Sequence, residues 1–394
     1  MSEAAEAAGP LIFLIAGEPS GDALGARLMA ALRERTGGAV RFAGVGGEAM
    51  EAAGLHSLVP IRDLAVMGVL EVLPRVRRIF RRVDETVSAV RAAQPDAVVT
   101  IDSSGFTWRV AQRLRRHGER VLLIHYVAPM VWAWRGGRAR RMARWYDHLM
   151  ALLPFEPPYF QAVGLGCTYV GHPVVESGAD RGDGPAFRRR HGIDPHATLI
   201  AVLPGSRPGE VRRLLPVFRA ATERLRSRYP HMHVVMPTVS TVHDEVAAAA
   251  KNWVVPAIAV RGTQPKYDAF AACNVALAAS GTVTLEIALA DLPMVVAYRV
   301  NALTHAIVRR LVKVRFANLL NIVLDRAAIP ELLQNDCNPE RLARELTRLL
   351  DDRLAREREI EAYREGLQRL GRGEVSPGMR AADCVLSLIA ERRK

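Results

Sequence analysis

The residues best suited to chemistry lie in short glycine-containing stretches that follow apolar runs. Residues 201–210 read Ala-Val-Leu-Pro-Gly-Ser-Arg-Pro-Gly-Glu, an apolar run that turns into a helix starting at about Pro208–Glu210. Backbone N–H groups at a helix start attract anions, and an arginine fork matches phosphate oxygens. Gly205, Ser206 and Arg207 are therefore candidate phosphate ligands, while a plain strand–helix turn would use the same residues. The stretch lacks the terminal Lys-Ser/Thr of a Walker loop and is not a G-x-G-x-x-G fingerprint. A second stretch, residues 279–286, opens a helix with Ser280, Gly281 and Thr282 and carries Glu286 about one turn further on. A helix start can hold a pyrophosphate while a nearby carboxylate accepts from ribose hydroxyls, and a hydroxyl N-cap with an exposed glutamate is the alternative. Two such loops in one half of the chain suggest a nucleotide diphosphate.

The other half offers carboxylates. Ala16-Gly-Glu-Pro-Ser-Gly-Asp22 is a glycine loop whose Glu18, Ser20, Gly21 and Asp22 suit a hydroxyl-rich ligand or simply a helix start. Asp102 ends the apolar run Val98–Ile101, where a carboxylate could take a proton from a substrate hydroxyl or cap the following helix. Asp102 and Glu18 are the candidate catalytic carboxylates. Residues 125–135 place Trp132 and Trp134 beside Arg135, and three of the five tryptophans lie between 132 and 145 among arginines. His125, Trp132 and Arg135 are candidates for the second substrate. The aromatics would stack on bases, a sugar phosphate or a lipid interface, and His125 is equally a core histidine.

Positioning these loops requires parallel strands covered by helices. Apolar runs at Leu11–Ala16, Ala97–Ile101 and Val121–Tyr126 alternate with helical stretches, and a polar glycine-rich break follows at residues 177–185. The pattern restarts at Leu199–Leu203 and continues through His233–Met236, Ile258–Val260, Val275–Ala278 and Met294–Tyr298 before a charged helical tail. The expected architecture is α/β, two Rossmann-like parallel-sheet domains facing across a cleft. The expected boundaries are 1–176 for the first domain and 186–345 for the second. A helical tail, 346–394, would pack back on the N-terminal domain. In open α/β sheets ligands bind at the carboxyl ends of strands, where the loops above lie.

The chain has 394 residues with 54 basic and 41 acidic side chains, a net charge of +13 that favours an anionic partner. Residues 1–180 hold 21 basic and 18 acidic groups, leaving 33 against 23 beyond them, so +10 of the excess lies in the second half. Four dispersed cysteines (Cys167, Cys273, Cys337, Cys384) without C-x-x-C spacing exclude a zinc ribbon or disulfide framework. The acidic start, MSEAAEAAGP, is unlike a signal peptide, and no run reaches the ~20 apolar residues of a membrane span. A cytosolic protein is expected. Residues 64–83 begin apolar and end with arginines, so Val69, Leu70, Val72, Leu73, Arg75, Arg77, Arg78, Arg81 and Arg82 read as a helix lying on an anionic bilayer. An ordinary core helix with a solvated arginine face is the alternative. No helix-turn-helix, zinc finger or RNA-binding signature accompanies the basic residues, which places nucleic acid last among the partners.

Taken in order, AGEPSGD (16–22), GVGG (44–47), MGVLEVLP (67–74), ID (101–102), HYVAPMVWAWR (125–135), LPFE (153–156), GHP (171–173), LPGSRPGEV (203–211), ASGTVTLE (279–286), PMVVAYR (293–299) and ELLQ (331–334) resemble the lipid-A-disaccharide synthase family of GT-B glycosyltransferases. The resemblance spans most of the chain. It implies transfer of 2,3-diacylglucosamine from UDP to the 6-hydroxyl of 2,3-diacylglucosamine 1-phosphate, with inversion and release of UDP. It further implies Asp102 as base, Gly205, Ser206 and Arg207 at the diphosphate, and Ser280, Gly281, Thr282 and Glu286 around UDP, with Asn321 and Gln334 near the nucleotide. No cofactor or metal is implied. Peripheral attachment to the cytoplasmic face of the inner membrane is implied, with an acceptor- and membrane-facing N-terminal domain, a UDP-sugar-binding C-terminal domain, and a homodimer as a possible state, the tail packing back on the N-terminal domain of its own or the partner chain. A UDP-sugar epimerase on the same scaffold is the alternative enzyme, and a nucleic-acid-binding protein the non-enzymatic one. One departure stands out: the family's Ile-Asp-x-Pro-Asp-Phe is Ile101-Asp-Ser-Ser-Gly-Phe106 here, and the second aspartate is expected to be dispensable.

Overall fold

A computed structural model describes residues 9–64, 69–133, 137–301 and 315–394, with backbone alone for residues 62 and 69–76. The chain divides into two compact units, residues 1–173 with 373–394, and residues 174–372.

The first unit runs β1 (Leu11–Ala16), α1 (Pro19–Arg35), β2 (Arg41–Val45), α2 (Glu48–Ala52), α3 (Val69–Ala93), β3 (Ala97–Ile101), α4 (Thr107–Arg116), β4 (Leu122–Tyr126), α5 (Gly137–Met142), β5 (His148–Ala151), α6 (Pro157–Gln161) and β6 (Gly166–Tyr169). Its six parallel strands lie in the order β2-β1-β3-β4-β5-β6. Every residue of β3 and β4 is buried, because helices cover both faces of the sheet and the strands are apolar on both sides.

The second unit runs α7 (Gly184–Arg190), β7 (Leu199–Leu203), α8 (Pro208–Leu225), β8 (His233–Thr238), α9 (His243–Lys251), β9 (Ala257–Arg261), α10 (Thr263–Ala272), β10 (Val275–Ala279), α11 (Val283–Leu289), β11 (Met294–Tyr298), α12 (Leu319–Leu324), β12 (Glu331–Leu333), α13 (Pro339–Asp351) and α14 (Arg353–Arg369). Its sheet, also parallel, has the order β12-β11-β10-β7-β8-β9. α8 shows why such segments are helical: Val211, Leu214, Leu215, Phe218, Ala221 and Leu225 recur on one turn-spaced face and are buried.

Strand order reverses between β1 and β3 in the first sheet and between β7 and β10 in the second. A reversal opens a crevice at the carboxyl ends of the two strands, since their connections leave on opposite faces. Glu18 and Asp102 follow β1 and β3, while Arg207 and Ser280 follow β7 and β10.

The unit boundaries differ from the expected domains at the C-terminus. Leu342, Leu346 and Leu349 of α13 and Ala355 of α14 join the core of the second sheet, so residues 346–372 belong there. The chain then returns to the first unit as α15 (Pro377–Arg393), whose Ala381, Ala382, Val385 and Ile389 complete the core beside Leu24, Leu28 and Ile12. Burying Val385 and Ile389 stabilises that packing by roughly 1.5–3 kcal/mol each.

Candidate active site

In the second unit, β7 delivers the chain into Pro204-Gly205-Ser206-Arg207. Gly205 has φ +122°, and a Cβ there would lie 2.7 Å from both Cβ and Oε2 of Glu210. Only glycine fits this turn. α8 then starts with a proline in its first turn and Arg207 extended before it, and no side chain caps it. The Glu210 carboxylate folds back on the loop, accepting from Ser206 N–H and the Arg207 guanidinium at 3.3 Å each. An internal anion thus sits on the donors that an incoming phosphate would use. Arg207 is 69% exposed and can turn toward a ligand.

After β10, Ser280 donates through Oγ to Ala317 O (2.8 Å), and Thr284 Oγ1 donates to Gly281 O (2.7 Å), which shapes the turn before α11. Gly281 and Thr282 are left exposed. One turn on, Glu286 accepts from Lys266 Nζ (2.6 Å) and Tyr267 OH (3.1 Å). These loops, with Pro237–Ser240 at the end of β8 and Arg261–Thr263 at the end of β9, line a cavity of about 560 Å³. That size suits a nucleotide. Arg207, Arg261 and Lys266 make its wall cationic.

In the first unit, pairing of Ala16 with Ile101 brings the Glu18 loop beside Asp102. Glu18 and Asp102 are half-buried and Ser20 is exposed. Asp102 and Ser103 both have positive φ (48° and 45°), and so does Val127 after β4 (84°). Trp132 N–H donates to Glu156 Oε1 (3.1 Å) and its ring meets Phe155 edge-on at 5.2 Å. Burial pushes the Glu156 carboxyl up to about 7, against the hydrogen bonds from Trp132 and the backbone of Leu153 and Leu152.

A family model described as lipid-A-disaccharide synthetase matches residues 12–381. The chain belongs to the lipid-A-disaccharide synthase family. Lipid-A-disaccharide synthase of Rhodospirillum centenum is 60% identical over 382 residues, 97% of this chain and 95% of the relative. That of Paramagnetospirillum magneticum is 52% identical over 98% and 99%. Among solved structures, S. aureus MnaA with UDP aligns with a TM-score of 0.65 at 12% identity, covering 98% of this chain and 97% of that one. Acinetobacter baumannii MurG aligns at 0.54 and 14%, covering 97% and 99%. Those likenesses concern the fold, which is GT-B. The lipid-A-disaccharide synthase family consists of hexosyltransferases, and this chain is an enzyme of that class.

Against this family background the structure gathers some of the expected residues and sets others aside. Gly205, Ser206, Arg207, Ser280, Gly281, Thr282 and Glu286 line one cavity. Asn321 does not line it. Its amide donates to Ile329 O and Glu331 and accepts from the N–H groups of Ala328 and Ile329, so every hydrogen-bonding group serves the turn into β12. Gln334 follows β12 at the sheet edge, also outside the cavity lining. Asp22 is 6% exposed and accepts from the N–H groups of Gly47, Ala49 and Met50 at 2.7–3.1 Å. Its carboxylate caps α2 and is not offered to a ligand. Gly21 is buried, with Ile101 O 3.2 Å from where a Cβ would sit, so it serves the close approach of α1 to β3. His125 is 2% exposed inside the sheet layer, and burial pushes its pKa down to about 3. It is a neutral core histidine, packed against Trp108 and Tyr146.

Arg135 lies outside the described residues, as do the side chains of Val69, Leu70, Val72, Leu73 and Arg75. Arg77, Arg78 and Arg81 are exposed along α3. Arg81 pairs with Glu85 at 2.9 Å and Arg78 lies 3.9 Å from Asp63, while Arg82 pairs with both carboxylates at 2.7 Å and is half-buried. No described helix is long and apolar enough to cross a membrane. Four residues escaped the sequence reading: Glu210, Arg261, Lys266 and the buried Asn318, whose Nδ2 has no partner among the described residues. Lys266 had one available signal, as one of four lysines in an arginine-rich chain and close behind a strand end.

Proposed function

We propose that the enzyme moves 2,3-diacylglucosamine from UDP to the 6-hydroxyl of 2,3-diacylglucosamine 1-phosphate, giving a β-1,6-linked disaccharide 1-phosphate and UDP. The observation that carries this reading is the cationic cavity built from the Gly205–Arg207 and Ser280–Thr282 loops in a chain of this family. In the reaction the acceptor O6 forms a bond to C1 of the donor sugar as the bond from C1 to the diphosphate oxygen breaks. Asp102 takes the O6 proton, and the electron pair leaves on the diphosphate. Arg207 and the backbone N–H groups of its loop stabilise that charge, which is largest after the bond has broken. Glu286, oriented by Lys266 and Tyr267, accepts from the ribose hydroxyls. Glu18 lies beside Asp102 on the acceptor side, with Ser20 two residues further along its loop.

The acyl chains place both substrates at a membrane surface, and the exposed Arg77, Arg78 and Arg81 support peripheral binding to anionic lipid on the cytoplasmic face of the inner membrane. Incubation with the two acylated sugars, followed by measurement of disaccharide and UDP, tests the reading. Asp102→Asn is expected to lower kcat by about 10²–10⁴-fold with UDP affinity unchanged, because Asp102 is not among the residues that line the cavity. Full activity of Asp102→Asn would remove Asp102 from the mechanism, and formation of an epimerised UDP-sugar without disaccharide would replace the reaction itself.

A further inference from the structure

Asp102 and Ser103 are consecutive non-glycine residues in the left-handed region, at φ 48° and 45°. L-residues with a Cβ avoid this conformation, and two in succession persist only when their surroundings hold them. The following residues Ser104 and Gly105 provide no such restraint, since neither is a proline and glycine widens the choice of backbone angles. The restraint must come from elsewhere.

We infer that Thr107 is the positioning residue that fixes the Asp102 carboxylate, acting through the backbone of the Asp102–Ser103 turn. The Thr107 hydroxyl donates to Asp102 O at 2.7 Å and lies 3.0 Å from Ser103 O. Thr107 is the first residue of α4, yet its hydroxyl serves carbonyls that precede the helix instead of the helix's own free N–H groups. It is therefore a clamp on the turn and not a helix cap. From the other side, Ser103 Oγ lies 2.4 Å from the position a Cβ would take on Gly17, so the end of β1 closes over the same turn. Phe106 and Thr107 also donate their N–H groups to Ser103 O at 2.9 and 3.1 Å.

Buried groups lie beside this clamp: Tyr146 neighbours Thr107, Thr100 Oγ1 donates to Tyr146 OH at 3.1 Å, and His125 Nδ1 lies 2.7 Å from Thr100 Oγ1. Thr100 and Thr107 are fully buried, and His125 and Tyr146 nearly so. With Thr100 donating to Tyr146, the His125 ring nitrogen is left to donate to Thr100, and this buried set lies next to Thr107. The Thr107 hydroxyl has both the Asp102 and the Ser103 carbonyl within reach, so both residues of the turn are tied to the first turn of α4. A base displaced by about 1 Å loses on the order of 10²-fold in rate, which is the loss a clamp on this turn avoids.

The inference rests on the reading of Asp102 as the base, and the experiment separates the two. Steady-state transfer would be measured with both acylated sugars for Thr107→Val, Thr107→Ser, Asp102→Asn and the Thr107→Val/Asp102→Asn double variant. Thermal unfolding and UDP binding by calorimetry would accompany each. Thr107→Val is expected to lose about 10–100-fold in kcat with KM for either substrate and UDP affinity within about threefold of wild type. Thr107→Ser, which keeps the hydroxyl, should recover kcat to within about threefold, and the double variant should be no slower than Asp102→Asn alone. Where Thr107→Val fails to fold, Thr107→Ala is judged by the same split between kcat and KM and by the same lack of further loss in the Asp102→Asn background. A folded Thr107→Val with wild-type kcat, a Thr107→Ser as slow as the valine variant, or an undiminished loss on top of Asp102→Asn overturns the inference while leaving the base in place. A fully active Asp102→Asn overturns the base, and the inference with it.

Discussion

Replacing Gly205 by alanine should weaken UDP binding, destabilise the second unit, or divide its effect between the two. Gly205 holds φ +122°, a conformation that non-glycine residues adopt at a cost of about 1–3 kcal/mol. The added Cβ would also lie 2.7 Å from Glu210 Cβ, a backbone-anchored atom that cannot swing aside as a side-chain tip can. If the loop keeps its shape, the strain appears as lost stability, with Tm falling by about 2–4 °C per kcal/mol for a unit of this size. If the loop relaxes, the Ser206 N–H and Arg207 move from the diphosphate, and UDP affinity falls by up to about 150-fold. The decisive quantity is the sum. Calorimetric titration with UDP and thermal unfolding of Gly205→Ala should together account for about 1–3 kcal/mol. A variant with both wild-type affinity and wild-type Tm would refute the assignment of this turn to the diphosphate and its reading as strained.

Three further outcomes follow from other parts of the molecule. Lys266→Met removes the 2.6 Å partner of Glu286 and leaves that carboxylate held by Tyr267 alone, so UDP affinity should fall by about tenfold, measured by calorimetry. Glu156, with its pKa raised to about 7, binds a proton in the folded chain where the unfolded chain has lost it, so its contribution to stability is full below pH ~4.5 and declines as pH rises to about 7. Glu156→Gln lacks that decline, and its Tm relative to wild type should rise between pH 5 and pH 8. Replacing Arg77, Arg78 and Arg81 together by glutamine should weaken sedimentation with phosphatidylglycerol vesicles by roughly fivefold per arginine and leave binding to neutral phosphatidylcholine vesicles unchanged.

The positions of the strand-end loops were legible because a buried parallel strand is a short apolar run with an abrupt end. Asp102, Arg207 and Ser280 each stand just past such an end. The roles of the polar residues were less legible. Asp22 and Asn321 look in sequence like ligands of a substrate, since a side chain that satisfies backbone N–H groups has the same chemistry as one that meets a sugar. Only the fold says which partner is nearer. His125 lies in a strand covered on both faces, where alternation distinguishes two sides but does not say which holds water. The end of the second unit was misplaced for a related reason: the apolar faces of α13 and α14 announce that they must be covered, and the amphipathic pattern is silent on which sheet covers them. Lys266 sits in no motif at all, and only the assembled loops reveal its partner Glu286.

The return of α15 to the first unit has a consequence for biosynthesis. Residues 1–173 leave the ribosome first, yet Ala381, Ala382, Val385 and Ile389 belong to their core. Between the two stand roughly 200 residues of the second unit, which at ~5–20 residues per second take about 10–40 s to translate. During that interval the α1 face that α15 will cover, around Leu24 and Leu28, is bare on the nascent chain. The domain begun first is thus completed last, and the apolar groove left open in the meantime is where a chaperone would be expected to hold the growing polypeptide.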